Sequence, residues 1–375
     1  MMLWCFYLLP TTAKRNRLTY IGSTILGSVH GAMSADNSCS DVSVPLRNIL
    51  NSVQCVRDRV KDGESNESDA GVFNLTNFWD TLNQAVKAAS QEATKLSLAF
   101  SKPPLPTQED GVRLAESIQK SVLVLSTVYY WLPKSHGVSL RRLVRDATAE
   151  VLDGVVQLVD VIVSSPLQSL SQEQLQSTGG VWSACDKFEH LPRDNQAAVL
   201  GLLTSYVGVV KDAVEEMEQA QAESQDPFSD VLDDEDLESR GNQDTYWSEE
   251  DRQLMAPCQG LVKASAACLR KLSSAVKANG DVSTPENVAQ LDDLADIAKE
   301  ISPSVDDLAL SLYPPMEYSG VEENACRLAS VIKKVLDIVR ASHVCLEADL
   351  NWVQFLYGAV DHNLHKIRAL IQSSS

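Results

Sequence analysis

Apolar side chains recur at steps of three and four residues along most of this chain, and that spacing predicts amphipathic helices. The clearest stripe predicts a first helix from about residue 44 to residue 61, with Pro45 in its first turn. The apolar face of this helix is formed by Leu46, Ile49, Val53, Val56 and Val60. No run alternates apolar and polar residues between turns with β-branched enrichment, so we predict no sheet. The pattern is that of an all-α protein.

Polar caps and proline-rich breaks divide the rest of the pattern into further helices. In the first half, helices are predicted to begin near Asn74 or Thr76 and after Thr107, Ser139 and Asp194, with a shorter segment at residues 181–188. In the second half, they are predicted to begin at Ser248 and Thr284, followed by a short helix at residues 305–312 and two long final helices. Short loops favour antiparallel packing of neighbouring helices. We therefore expect two antiparallel bundles of about five helices each, joined across an acidic linker.

The expected domain limits lie where the periodicity stops. Residues 1–41 are expected to be disordered or a non-native extension, with Met33 as the true start. Their apolar run is too short to span a bilayer, and its basic residues follow the run instead of preceding it. Residues 42–222 form the predicted N-terminal bundle, and residues 223–247 form an acidic flexible linker. Residues 248–375 form the predicted C-terminal bundle, with the alternative that it shares helices with the first.

The charge of the chain is strongly negative and unevenly placed. The 375 residues include 51 acidic and 32 basic side chains, a formal net charge of −19. Sixteen of the acids lie in residues 212–251, beside a single basic residue, Arg240. Such a field repels nucleic acid and anionic membranes at long range, so we expect neither as a direct partner. We also expect no later segment to cross a membrane. Basic protein partners are compatible with this charge.

Catalytic chemistry finds no support in the motifs of the sequence. There is no glycine-rich phosphate loop, no nucleophile elbow and no Cys-x-x-Cys pair, and the eight cysteines are expected to be reduced thiols. His362 and His365 share one helical face, but a zinc site needs three or four converging ligands. We therefore expect no metal, no cofactor and no enzyme.

Short charged clusters have ordinary structural interpretations. The paired acids Asp292-Asp293 and Asp306-Asp307 are expected on solvated helix faces or at helix starts. The basic residues Arg141, Arg142 and Arg145 are expected to form local ion pairs, with a patch for an acidic partner as the alternative.

The segment 248–301 predicts two consecutive helices with leucines on one face. The candidate partner-binding residues are Leu254, Leu261, Leu272, Leu291 and Leu294, together with Asp233, Asp234 and Glu235 before the first helix. A DNA-binding helix-loop-helix would have a basic region at the place of these acids. A pair of this kind would therefore sequester its partner away from DNA. The alternative is that these are two helices of an ordinary bundle, with their leucines buried.

Two serines among acids are candidate phosphorylation sites for an acid-directed kinase. They are Ser229 and Ser248.

Several runs of this chain resemble the cyclin-D-binding protein family, also called the Grap-adaptor and cyclin-D-interacting proteins. The first three are Tyr-Trp-Leu-Pro-Lys (130–134), Leu-Arg-Arg-Leu-Val-Arg (140–145) and Pro-Arg-Asp-Asn (192–195). The others are Tyr-Trp-Ser-Glu-Glu-Asp (246–251), the run at 301–310 and Tyr-Pro-Pro-Met (313–316). They occur in the same order from about Phe78 to the C-terminus, so the resemblance is specific.

The resemblance implies an all-helical adaptor of the nucleus and cytoplasm. Such proteins are thought to bind a D-type cyclin, to lower cyclin-D-dependent kinase phosphorylation of the retinoblastoma protein, and to restrain the cell cycle. They are also described as helix-loop-helix proteins without a basic region, which implies helix-loop-helix transcription factors and adaptor proteins as further partners. The leading hypothesis is a non-enzymatic negative regulator of the cell cycle. The alternative is a helical scaffold with indirect cell-cycle effects.

Overall fold

The computed structural model describes residues 42–63, 73–164, 171–223 and 247–374, and within these ranges every regular element is helical. The helices of the first half are α1 (Ser43–Asp62), α2 (Leu75–Ala99), α3 (Gln108–Trp131), α4 (Val138–Ser164), α5 (Gln172–Asp186) and α6 (Asn195–Glu223). Those of the second half are α7 (Glu249–Asn279), α8 (Pro285–Ala298), α9 (Ile301–Ser311), α10 (Tyr318–Ala341) and α11 (Leu350–Ser374). The predicted all-α class is confirmed. The predictions for residues 1–41 and for most of the acidic linker lie outside the described residues.

Most of the predicted helix starts are confirmed by hydrogen bonds from polar caps. The side chains of Asn74, Thr107, Ser248 and Thr284 each accept a bond from the backbone N–H three residues later. Asp194 does the same for Ala197, at 2.8 Å. An oxygen acceptor here satisfies one of the backbone donors that have no partner inside the helix.

Two predicted starts differ from the structure. Ser139 does not cap α4, because it lies one residue inside the helix and its buried hydroxyl has no hydrogen-bond partner. Ile301 begins α9 instead of ending α8, because Pro303 fits the first turn of a helix as well as a break between two.

The first hydrophobic core is built from α1 to α5. Helix α1 packs on α3 and α4, α2 packs on α3 and α5, and α5 also packs on α4. The largest fully buried side chains of this core are Phe100, Tyr129 and Phe188, with leucines from α1, α2, α3 and α4. The stripe that predicted α1 is on its buried side, with Leu46, Ile49 and Val53 almost without exposed surface.

The second core is built from α6 to α11, and α6 is the helix that the sequence assigned to the other bundle. Val199, Leu203, Val210 and Met217 of α6 are buried in the second core. Helix α6 packs mainly on α7, and also on α8 and α9. A periodic stripe shows that a face is buried but does not show which neighbour covers it. The division between the cores therefore falls near residue 198 and not at the predicted boundary of 222, which matches the alternative that the second bundle shares helices with the first.

The two cores meet at the start of α4, where a carboxylate from the second half replaces the missing cap. Asp292 of α8 accepts hydrogen bonds from the backbone N–H groups of Val138 and Ser139, at 2.7 and 2.9 Å. The side-chain amide of Asn195 also donates to Asp292, at 3.1 Å. Gly137 has a φ of +113°, and a Cβ there would lie 2.0 Å from Asn195. The described residues belong to one compact unit, and this junction is one of its internal contacts.

Candidate partner-binding surface

The five leucines predicted to bind a partner lie inside the second core. Leu261, Leu272, Leu291 and Leu294 have no exposed surface, and Leu254 has almost none. A side chain without exposed surface cannot contact another protein. The closed bundle thus matches the alternative that the sequence left open, in which α7 and α8 are ordinary bundle helices. Dimerisation through these leucines stays a prediction only for an opened form of the second bundle, in which the leucines of α7 and α8 leave the core.

The first turn of α7 begins at exposed residues, and polar side chains satisfy its backbone donors. Ser248 Oγ accepts a hydrogen bond from the Asp251 N–H at 3.1 Å, and the Ser248 N–H donates to the Asp251 carboxylate at 2.8 Å. This reciprocal arrangement is a capping box. Tyr318 of α10 donates its hydroxyl to the other oxygen of Asp251, at 2.9 Å. The first turn of α7 is therefore held both by its own cap and by α10.

Beside this turn lies an apolar cluster that we call the aromatic corner, formed by the half-buried Trp247 and the exposed Leu310 and Tyr313. The indole N–H of Trp247 donates to the Leu312 carbonyl at 2.7 Å, and the Trp247 and Tyr313 rings have their centroids 6.1 Å apart. Leu310 lies one helical turn before Tyr313 at the end of α9. Its side chain is 70 % exposed and that of Tyr313 is 39 % exposed. The corner is therefore held in place by backbone contacts while its apolar surface faces outward.

One acidic side chain contacts the aromatic corner, and two more follow Trp247 along the chain. Glu216 of α6 lies 3.3 Å from the Tyr313 hydroxyl, and Glu249 and Glu250 occupy the exposed first turn of α7. Burial, and then the charge of Glu216, raise the pKa of Tyr313, so its hydroxyl stays protonated as a donor. Among the salt bridges of the described residues, none joins a cation to Glu216, Glu249 or Glu250.

The sequence contains a signal for this corner that a search for leucine stripes misses. Trp247, Leu310 and Tyr313 all belong to runs that carry the family resemblance, but Trp247 lies more than sixty residues before the other two. Only the packing of α7 against α9 and α10 brings them together. The aromatic residues within such runs are the useful indicator, because Trp and Tyr are enriched at protein interfaces.

Other exposed apolar side chains are more scattered or have local polar partners. On α2 and α5, Leu98, Leu175 and Trp182 are exposed, and the Trp182 indole donates to the hydroxyl of Thr94 at 2.9 Å. Nearby, Lys95 and Glu92 form an ion pair at 2.6 Å. Phe355 of α11 is the most exposed of these large apolar side chains among the described residues, but it has no exposed apolar neighbour on the next turns of its helix.

The paired acids of the sequence lie in different environments in the structure. Asp292 is buried and caps α4, whereas its neighbour Asp293 is exposed. Asp306 is exposed, and Asp307 pairs with Arg327 at 3.1 Å. The expectation of a solvated helix face agrees with Asp293, Asp306 and Asp307 but is wrong for Asp292, which is buried within α8 because it caps a helix from the other half.

The basic cluster of α4 does not form an open patch. Arg141 is buried, donates to the Leu132 carbonyl and lies 4.8 Å from the centre of the Tyr129 ring. Arg142 pairs with Asp296 across the junction at 2.6 Å, and Arg145 pairs with Asp146 at 2.8 Å. Local ion pairs were the expected arrangement for Arg142 and Arg145, but the burial of Arg141 was not expected.

Metal ligands do not converge in the part of the chain that the structure describes. No group of three or more His, Cys, Asp or Glu side chains there is placed to hold an ion. His362 and His365 are both exposed on α11. The six described cysteines are free thiols. Burial raises the pKa of Cys185 to about 11 and those of Cys258 and Cys268 to about 12, so these three are protonated and weakly reactive.

One helix corrects the expectation that no later segment could cross a membrane. By length and composition, residues Asn195–Ala222 of α6 are long and apolar enough to do so, with a mean hydropathy of 1.5 in the most apolar window. This is weak support for a membrane span, since core helices of soluble proteins pass the same test. Here the helix packs on α7, α8 and α9 of the second core.

Five further candidate residues remain, four of them outside the described residues. Asp233, Asp234 and Glu235 and the candidate phosphorylation site Ser229 fall in residues 224–246, outside the described ranges. Ser248 is exposed and accessible, and its phosphorylation stays a prediction.

Comparison with known proteins gives matches along nearly the whole chain. Residues 81–223 match the N-terminal family model described as Grap2 and cyclin-D-interacting, and residues 232–337 match the C-terminal model of the same description. A protein of Danio rerio named cyclin-D1-binding protein 1 homolog is 67 % identical over 92 % of this chain and 100 % of its own length. The homolog of the same name from Xenopus laevis is 56 % identical over 88 % of this chain and 99 % of its own.

A more distant relative shows the same coverage. Cyclin-D1-binding protein 1 of Homo sapiens is 43 % identical over 88 % of this chain and 93 % of its own length. The two family models and these full-length likenesses agree with the motif runs and with the all-helical fold. The chain belongs to the Grap2 and cyclin-D-interacting protein family.

Proposed function

We propose that this chain binds a D-type cyclin and thereby restrains the cell cycle without catalysing a reaction. The observation that carries the proposal is the likeness, over nearly its whole length, to proteins named for binding cyclin D1. The aromatic corner is compatible with a binding role, because exposed Tyr and Leu side chains beside a half-buried Trp occur at protein interfaces. In this proposal the cyclin-dependent kinase loses activity toward the retinoblastoma protein when its cyclin is occupied.

Two measurements test the proposal. Isothermal titration of the purified full-length chain with a purified D-type cyclin should give saturable binding, and a cyclin of another class is the matched control. The chain should also lower phosphorylation of a retinoblastoma fragment by the cyclin-D-dependent kinase in proportion to its occupancy of the cyclin. Absence of binding at micromolar concentrations of both proteins would refute the proposal. Binding without an effect on the kinase would refute its regulatory half.

Sequestration of basic helix-loop-helix factors needs a separate mechanism. The leucines of α7 and α8 would have to leave the core, and fully exposing each costs about 2 kcal/mol. For five leucines the total is on the order of 10 kcal/mol, which is comparable to the whole stability of a typical domain. We propose sequestration only for an opened form of the second bundle. Hydrogen exchange would show this form as weak protection of α7 and α8 in the free protein.

The scaffold alternative is favoured over sequestration by the same burial. In this alternative the chain holds other proteins, adaptor proteins among them, on its outer surface, and its cell-cycle effects are indirect. A kinase that is inhibited in a mixture of purified proteins would exclude an indirect effect. We also propose that the chain acts in cytoplasm and nucleus, where its free thiols stay reduced. Imaging of the tagged chain tests this location.

A further inference from the structure

We propose that the junction between the two cores is a latch, and that its release lets the second core rotate away from the first about the link between α5 and α6. The latch consists of the buried side chains of Asn195 and Asp292 and of the exposed ion pair between Arg142 and Asp296. The proposed motion is a property of the chain alone and does not depend on the proposed function.

Within the described residues, the chain passes from the first core to the second only once. The buried apolar residues divide between the cores near residue 198, and the non-helical link 191–194 lies just before that point. Arg193 is anchored to the first core. Its carbonyl accepts the indole N–H of Trp79 at 2.9 Å, and its guanidinium lies 4.6 Å from the centre of that ring system. The pivot therefore lies between Arg193 and the start of α6 at Asn195.

The contact between the cores is polar at its centre and less extensive than the packing within either core. It is formed by the turn Lys134–His136 and α4 on one side, and by α6 and α8 on the other. Asn195 and Asp292 are buried in this contact, while the buried apolar residues form two separate clusters. Contacts between domains that are not large and hydrophobic permit relative motion, because water replaces their hydrogen bonds on opening.

The first three backbone N–H groups of α4 all find their acceptors on helices of the second core. Asp292 of α8 accepts from the first two, as described above, and Asn195 of α6 accepts from the Leu140 N–H at 3.0 Å. The amide of Asn195 also donates to Asp292, so the two acceptors hold each other in place. Nearer the surface, Arg142 pairs with Asp296. All three N–H groups lose their acceptors together if the second core moves away, which makes closure all-or-none.

The closed latch leaves one polar group unsatisfied. The hydroxyl of Ser139 is buried at the junction and has no hydrogen-bond partner within the described residues. A buried polar atom without a partner destabilises the closed form, and solvent would satisfy it once the cores separate. The closed form is therefore less favoured than its hydrogen bonds alone would indicate.

The test follows two distances in the full-length chain by single-molecule energy transfer. Dyes are attached through non-natural amino acids, so the native cysteines stay unlabelled. One pair replaces Lys120 of α3 and Lys366 of α11 and spans the junction, and the other replaces Lys277 of α7 and Lys366 and lies within the second half. All three positions are exposed.

Three variants are compared with the wild type. Asp292→Ala and Asn195→Ala each remove one acceptor of the latch, and Asp293→Ala makes the matched change at the exposed neighbour. Circular dichroism checks that each variant retains its helices.

We expect Asp292→Ala to raise the ratio of open to closed molecules at the junction pair by about tenfold or more, because two buried N–H groups lose their acceptor. Asn195→Ala should act in the same direction, and Asp293→Ala should match the wild type. The pair within the second half should give one distance in all four proteins. An unchanged junction distance in both latch variants would overturn the proposal. Equal changes in the two pairs would also overturn it, since the second core would then loosen as a whole instead of moving as a body.

Discussion

The leucine stripe of α7 and α8 and the aromatic corner lie on neighbouring parts of the same bundle but have opposite exposure. Leu261 and Leu291 are buried, whereas Leu310, on the next helix, is 70 % exposed. The stripe is regular and is conspicuous in the sequence, while the corner is assembled from separate runs. A regular leucine pattern on a helix of a bundle therefore marks core more often than it marks a binding face, since bundle helices bury that face against each other. A binding face is better sought among apolar residues that the core leaves out.

The largest effect that separates the two regions is on stability. Leu261→Ala should lower the free energy of unfolding by about 3 kcal/mol, because it removes buried methyl groups and leaves a cavity. Leu310→Ala should change it by no more than about 0.5 kcal/mol. Urea titration followed by circular dichroism measures both. Similar losses of unfolding free energy in Leu261→Ala and Leu310→Ala would contradict the contrast between the buried leucine stripe and the exposed corner.

A second buried and exposed pair is formed by two consecutive acids at the junction. Asp292→Ala should cost about 2 kcal/mol or more, because the N–H groups of Val138 and Ser139 and the amide of Asn195 lose their acceptor inside the protein. Asp293→Ala, at the exposed neighbour, should cost less than about 0.5 kcal/mol.

The same urea titration compares the two aspartates. Asp292→Asn retains one acceptor oxygen, so its free energy of unfolding should lie between those of Asp292→Ala and Asp293→Ala. A junction that does not depend on Asp292 would be revealed by equal midpoints of the two alanine variants.

The capping box at Ser248 lies between the buried leucine stripe of α7 and the aromatic corner. Ser248→Ala should cost about 1 kcal/mol, since the first turn of α7 loses the acceptor for the Asp251 N–H. Hydrogen exchange should quicken in that turn and not in the middle of α7. Ser205→Ala on the exposed face of α6 is the matched control and should not weaken its helix. Uniform quickening along α7 would show that the cap also supports the buried stripe.

The smallest expected effect is the pH dependence that comes from His343. Its Nε2 accepts a hydrogen bond from the Asp281 N–H at 3.1 Å, and its Nδ1 lies 2.8 Å from the side-chain oxygen Oε1 of Gln290. Burial lowers the pKa of His343, and the charge of Asp281 opposes this in part. A histidine with a lowered folded pKa contributes stability above its unfolded pKa near 6.5, and the contribution is lost as the pH falls below that value.

A protein without His343 should therefore lose less stability on acidification than the wild type. The urea midpoint of His343→Gln should fall less between pH 7.5 and 5.5 than that of the wild type. His362→Gln, at an exposed position of α11, is the matched variant, and the difference between the two isolates the contacts of His343. An NMR titration that places the His343 pKa above 6.5 would contradict the expected direction.

Several local features could be predicted from the sequence because they depend on neighbours along the chain. The caps at Asn74, Thr107 and Ser248 are of this kind, since the acceptor and the donor are three residues apart. The predicted cap at Ser139 failed because its place is taken by Asp292, 153 residues away. No local rule reports a competitor at that distance.

By itself, the sequence determined that the protein is helical, which face of each helix is apolar, and to which family it belongs. These follow from periodicity, capping chemistry and the order of its motif runs, all of which are written along the chain. The tertiary structure alone decided that α6 joins the second core, that the predicted leucines are buried, and that Trp247 meets Tyr313. The reason is that an apolar stripe requires burial but accepts any complementary neighbour, so the choice of partner depends on how all the helices pack at once.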